Sequence, residues 1–192
     1  RSTLARMTCT NPTGAGQIAI ESIERPTQDA TIAGLSALLV DAVESGASVS
    51  FLGDLTQSEA TAWWRKSLET LGLRDSVLIA RDEHGIIGTV QVRACWQPNQ
   101  RFRGEIMKLL VHRRARGRGL AARLMQAIEP LARSAGLTLL VLDTNAGTTA
   151  DRLYLRLGWT RVGVIPGYCL LHDGTPGDAA FFYKRLDGSP VG

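Results

Sequence analysis

Cysteine is scarce in this chain: only Cys9, Cys95 and Cys169 occur, odd in number and far apart. They form neither a disulfide framework nor a metal-ligand spacing, so no metal is expected and a reduced, cytoplasmic setting is. His84, His112 and His172 fall into no triad pattern with them, which leaves a nucleophilic cysteine unsupported. Lysine is equally rare, at Lys66, Lys108 and Lys184, so positive charge rests mainly on arginine. No apolar run approaches the ~20 residues of a membrane-spanning helix, and the N-terminal stretch has no signal-peptide core; no membrane partner is expected. Two phosphate-loop signatures are missing as well. There is no Gly-x-x-x-x-Gly-Lys-Ser/Thr, and Ala122 stands where a Gly-x-Gly-x-x-Gly would need its third glycine.

The net charge of +4 is modest, and much of it sits in one stretch, Arg113, Arg114, Arg116 and Arg118. Such a cluster fits one compact polyanion better than a long nucleic-acid backbone. Interleaved glycines and few nearby aromatics also count against nucleic acid, although a basic patch used that way is the alternative from another class. At 192 residues, with no internal repeat and no linker, one domain over 17–187 is expected. Residues 1–16 read as a disordered leader and 188–192 as a tail.

The organising stretch runs from Glu105 to Ala121. An apolar strand, Ile106 to Val111, stops at a run of Arg and Gly, and helical spacing begins at once with Leu120, Leu124, Ala127, Ile128 and Leu131. A helix's first turn carries unpaired N–H groups and the positive end of its dipole, so strand, Gly-rich turn, helix presents amides to an anion. Gly117 and Gly119 keep side chains out of the way, and the arginines add charge. The stretch reads as a cradle for a diphosphate.

Along the rest of the chain, Gln17–Ile23 alternates as a strand. Ile32, Leu35, Leu38, Leu39, Ala42 and Val43 then form one helical stripe that ends at Gly46. Thr56-Gln57-Ser58-Glu59 is a capping box opening a second helix, in which one of Trp63 and Trp64 is core and the other borders a site. Ser76–Ala80 and Ile86–Trp96 make a hairpin, and Arg101–Val111 follows as the central strand. The long helix is expected to run to Ala135 with a kink or loosening at Pro130. Leu137–Asp143 reads as a strand buried on both faces. A short helix over Ala150–Leu157 and strands over Trp159–Pro166 and Ala179–Leu186 complete the chain, with Gly167–Asp178 as a long loop. The order β-α-α-β-β-β-α-β-α-β-β predicts a single-domain α/β fold, a mixed sheet flanked by helices.

Arg114-Ala115-Arg116-Gly117-Arg118-Gly119 matches Arg/Gln-x-x-Gly-x-Gly/Ala, and Asn145 to Trp159 reads Asn-x₈-Tyr-x-x-x-Gly-Trp. These two segments, in this order on these elements, resemble the GCN5-related N-acetyltransferase (GNAT) family over 17–186, with Trp159 replacing the usual Phe. Gly46–Phe51, Met107–Leu120 and Pro166-Gly167-Tyr168 are also similar to the tabtoxin-resistance acetyltransferase group, which implies antibiotic or toxin resistance. The resemblance implies an acetyl-CoA-dependent N-acetyltransferase acting on a small-molecule amine. An enzyme acetylating a protein N-terminus or lysine is the alternative on the same fold, and a homodimer stays open.

The resemblance further implies two splayed strands, Glu105–Val111 and Leu137–Asp143, with the pantetheine arm between them. Leu109, Leu110 and Val111 would then offer backbone groups, an N–H near Leu110 would meet the oxyanion, and the amides from Arg116 through Leu120 to Ala121 would hold the diphosphate. Asn145 would contact the cofactor and Tyr154 would protonate the leaving thiolate. An alkylammonium of pKa ~10 is only about a thousandth neutral at pH 7, so a base is needed. Glu105, partly buried between strands, is preferred for it over Asp143. Trp96, Asn99 and Tyr168 are the candidate acceptor contacts, beside Trp63.

Overall fold

The computed structural model describes residues 7–8, 17–47 and 49–188. The strands are β1 (Met7–Thr8), β2 (Ala19–Ser22), β3 (Ser76–Asp82), β4 (Gly85–Ala94), β5 (Arg103–Val111), β6 (Leu139–Asn145), β7 (Thr160–Leu170) and β8 (Pro176–Arg185). The helices are α1 (Asp29–Glu44), α2 (Gln57–Glu69), α3 (Leu120–Ser134) and α4 (Thr149–Arg156). One sheet holds all eight strands in the order β1-β2-β3-β4-β5-β6-β8-β7. Every neighbouring pair is antiparallel except β5 with β6. From β2 onward the element order is the expected one. Within the stretch expected as a leader, Met7 and Thr8 pair with Ile20 and Ala19 as an edge strand. The rest of that stretch, and the tail beyond 188, lie outside the described residues.

Strand periodicity divides the core in two. On β3, Val77 and Ile79 point to the layer of α1 and α2, while Leu78 and Ala80 point to the layer of α3. The α1 stripe lies buried from Ile32 to Val43 as its spacing requires. In α2 the capping box forms, with Thr56 Oγ1 accepting from the Glu59 N–H and Glu59 Oε2 accepting from the Thr56 N–H. Such a cap contributes about 1 kcal/mol. Trp64 fills the core at 0% exposure, whereas Trp63 is half-buried at its border.

α3 runs to Ser134 with Pro130 inside it, and buried Leu124, Met125, Ile128 and Ala132 pack it on both sides of the lost hydrogen bond. Two expectations are corrected. β6 is not buried on both faces: Leu140 and Leu142 are core, while on the other face Leu139 and Val141 are half-buried and Asp143 is exposed. The expected loop 167–178 is largely strand. After an irregularity between Ile165 and Cys169, where the Gly167 N–H donates to Asp178 Oδ1 (2.9 Å), pairing resumes at Cys169 with Gly177 and Leu170 with Pro176. Only residues 171–175 remain as the turn.

Candidate active site

The gap lies between the two parallel strands. β5 and β6 pair only through Arg103–Leu139, Gly104–Leu140 and Glu105–Val141. Beyond Glu105, β5 stays with β4 and β6 stays with β8, so the strands part like a V. Leu109, Leu110 and Val111 therefore carry backbone on an edge without a strand neighbour on the β6 side. A bulge on β5 helps the departure: Thr89 faces Leu110 and Gln91 faces Met107, which leaves Lys108 and Leu109 opposite Val90 alone.

At the open end β5 runs into a short 3-10 turn, Arg113–Ala115, and then into α3. Gly117 (φ 76°) and Gly119 (φ 73°) both sit in left-handed conformations. A Cβ at either would meet no protein atom within 4 Å, so the reason for glycine is the backbone angle and not crowding. Gly119 is the N-cap of α3 and makes no side-chain cap, which leaves the first-turn amides from Leu120 onward to another acceptor. The Leu120 side chain is buried beneath them.

The arginines divide. Arg114 donates to both oxygens of Asp82, with NH2 to Oδ1 at 2.9 Å, and holds that carboxyl below its ordinary pKa. Arg113 is paired with Asp41 and with Glu44 (2.9 Å). Arg116 Nε donates to the Val111 carbonyl at 3.1 Å, with NH2 4.0 Å from Asp41. Arg118 is exposed and has no ion-pair partner among the described residues. The side chain of Arg114, read as a phosphate cation, is ion-paired to Asp82 and so ties the loop to the β3–β4 turn. Arg118 carries the available charge.

Inside the V stand Glu105, Asp143 and a residue the sequence reading left aside, Lys108. It has φ 51° within the bulge, and its Nζ donates to the Val49 carbonyl at 2.9 Å. The ammonium faces the rings of Trp63 (4.9 Å) and Phe51 (5.6 Å). Burial lowers its pKa to about 8, against the opposing pull of the Asp143 and Glu105 charges. Asp143 is raised, first by burial against the sheet, and its own backbone N–H and Lys108 hold it back. Glu105, expected half-buried, is instead exposed at the closed end of the V. Tyr154 on α4 is 5% exposed, its ring against Trp159 and Phe182. Burial raises its pKa, and the nearby Asp143 charge adds to the shift.

The remaining predicted residues scatter. Asn145 ends β6 with its Oδ1 3.8 Å from Cys169 Sγ. Tyr168 stacks edge-on against Phe181, whose register partner is Asp143. Trp96, 84% exposed, lines a groove of about 970 Å³ with Trp63, Leu73 and Met107. Asn99 lies on a 3-10 turn outside the lining of that groove. The loop after α1 is bridged to the β7–β8 turn, with the Gly53 N–H donating to the His172 carbonyl at 2.9 Å. Lys108 could have been found from its sequence position, a lone lysine between apolar strand residues, but the bulge that aims it has no sequence signal. Among the described residues there is no cluster of three or more metal-ligating side chains. None of the described helices is long and apolar enough to cross a membrane.

The model of the acetyltransferase (GNAT) family matches residues 41–159, more than half of the chain and all of the V and cradle. Among solved structures, a candidate acetyltransferase from Salmonella typhimurium, determined with its cofactor acetyl-CoA, shares 20% identity. It superposes at TM-score 0.72 over 91% of this chain and 97% of its own. Ribosomal-protein-alanine N-acetyltransferase from Brucella melitensis is 20% identical at TM-score 0.69, covering 86% of this chain and 98% of its own. Aminoglycoside 6′-acetyltransferase type Ii is 18% identical at TM-score 0.65, covering 89% and 99%. At these identities the likeness is one of fold, and acceptors as different as a ribosomal protein and an aminoglycoside accompany it.

Proposed function

The chain belongs to the GNAT acetyltransferase family, and on that premise we propose that it transfers the acetyl group of acetyl-CoA to a primary amine on a small molecule. One observation carries the reading: β5 leaves β6 after Glu105 and ends in a loop whose glycines and helix-start amides face outward. The fit to acetyl-CoA is physical. An extended amide chain can pair with a strand edge that has lost its neighbour, and a diphosphate suits uncapped helix amides beside Arg118. When bound there, acetyl-CoA supplies an acetyl group activated as a thioester.

The chain's own groups then have separate tasks. An N–H on the free edge between Leu109 and Val111 holds the negative charge that develops on the carbonyl oxygen. Asp143, exposed at the edge of the gap but partly desolvated beside it, replaces Glu105 as the preferred base, since that desolvation raises its carboxyl pKa and makes its carboxylate a better proton acceptor. Glu105, exposed at the closed end of the V, is left to attract the incoming ammonium. Tyr154 keeps its proton at working pH and donates to the departing sulfur. Its raised pKa makes full transfer to a thiolate of ordinary pKa ~8.5 uphill, so its contribution is chiefly that of a hydrogen-bond donor. Asn145 positions the arm of the cofactor at the mouth of the V.

Resistance to a tabtoxin-like toxin is a finer form of this reading, and acetylation of a protein N-terminus or lysine is the alternative to it on the same fold. Calorimetry with CoA and acetyl-CoA, followed by CoA-release assays on aminoglycosides, β-lactam dipeptides, amino acids, polyamines and N-terminal peptides, separates them. Turnover of free amines over peptides is expected. Absence of heat with either CoA form would sink the transferase reading.

A further inference from the structure

Lys108 is held at φ 51°, a left-handed conformation that is strained for a side-chain-bearing residue and that glycine would adopt freely. The strain aims one ammonium into the space between β5 and the loop after α1. One of its three N–H donors is taken by the Val49 carbonyl at 2.9 Å, and Ser50 Oγ stands at a long 3.4 Å. The rings of Trp63 and Phe51 line its flank. Glu105 and Asp143 lie near enough to act on it electrostatically, yet no carboxylate among the described residues forms an ion pair with it. The V therefore contains a cation with donor capacity to spare beside two separate carboxylates.

That pattern is complementary to a zwitterion. Resting on the transferase reading above, we propose that Lys108 anchors an anionic group of the acceptor and that the acceptor is a free amino acid or a close analogue, its amine towards Asp143 and its carboxylate against Lys108. The third N–H of the ammonium makes a charge-assisted hydrogen bond to that carboxylate. The same cation repels a second positive charge on the acceptor, so polyamines and aminoglycosides are disfavoured. The aromatic flank gives the cation a fixed place without neutralising it.

The test compares L-amino acids with their α-carboxamides as acceptors, by CoA release, in the wild type and in Lys108→Met and Lys108→Arg. The amine of a carboxamide gives up its proton more readily, so chemistry alone favours the amide. Wild-type kcat/KM is expected to favour carboxylates by roughly 10- to 100-fold. The Lys108→Met variant should bring the ratio near one, chiefly through KM, and Lys108→Arg should restore part of it. A matching fall in affinity for carboxylate acceptors above pH about 8 is expected in the wild type and not in Lys108→Arg. Carboxamides at least as good as carboxylates, an unmoved ratio in Lys108→Met, or faster turnover of spermidine than of any amino acid would overturn the proposal. So would no CoA release with any amino acid while calorimetry still registers acetyl-CoA, an outcome that leaves the transferase reading intact.

Discussion

The two ends of the V are built on opposite principles. The end proposed for the cofactor is backbone: two left-handed glycines, the uncapped start of α3 and the free edge of β5, all within one contiguous stretch. The end proposed for the acceptor is made of side chains from distant parts of the chain. Trp63 comes from α2, Lys108 from the β5 bulge, Asp143 from β6 and Tyr168 from β7. Backbone recognition suits a ligand that never changes, because it requires few specific side chains. Side-chain recognition suits a ligand that differs from one relative to the next, since single substitutions alter it while the sheet stays in place.

The sharpest way to separate the ends is Tyr154→Phe, which touches chemistry without touching the cradle. Turnover should fall by about 10²-fold, in line with the loss of a hydrogen bond to a charged sulfur, while calorimetric affinity for acetyl-CoA is retained. Equal turnover in the variant would remove Tyr154 from the mechanism.

A smaller effect divides the arginines of the cradle itself. Arg118→Ala should weaken acetyl-CoA roughly 3- to 10-fold at low salt, and by less as salt screens an exposed charge. Arg114→Ala should instead lower the melting temperature, because it strips Asp82 of its partner. Asp82 is held below its ordinary pKa, so the stability it contributes is present above the usual carboxylate range and lost as pH falls. The gap between wild type and Arg114→Ala should accordingly close in acid. If Arg114→Ala were the one to abolish cofactor binding, the strut and the ligand would have been exchanged.

The smallest effect concerns Lys108, whose pKa is lowered to about 8 from 10.5. Between those values the unfolded chain binds more protons than the folded one, so stability rises with pH in that window. Thermal unfolding of wild type and Lys108→Met should show the wild type gaining on the variant from pH 8 to 10.5. Parallel curves would mean that the ammonium is less enclosed than its surroundings indicate.

How much of this was legible in the sequence follows from the same contrast. The cradle was readable because Gly117, Gly119 and the Leu120 stripe are neighbours along the chain, and a left-handed backbone names its residue type locally. The α2 cap was readable for the same reason. The two strands β7 and β8 were readable, but their extension past Pro166 and before Ala179 was not, because Gly167 and Asp178 look like loop residues until Cys169 and Gly177 are seen to pair across an irregularity. The proposed preference for Asp143 over Glu105 turns on the finished sheet: the first stands near Lys108 where partial desolvation raises its carboxyl pKa, and the second lies exposed at the closed end of the V.

Local order along the chain thus determined the elements, their sequence and the glycine turn that opens α3, since propensity, periodicity and glycine angles act over a few residues. Only the tertiary structure decided that β5 bulges at Lys108, that Arg114 is tied to Asp82 while Arg118 is left over, and that Lys108 meets Trp63 on one side and the charge of Asp143 on another. Those outcomes depend on distances between segments far apart in the chain, and charge, burial and hydrogen bonding take their values from such distances.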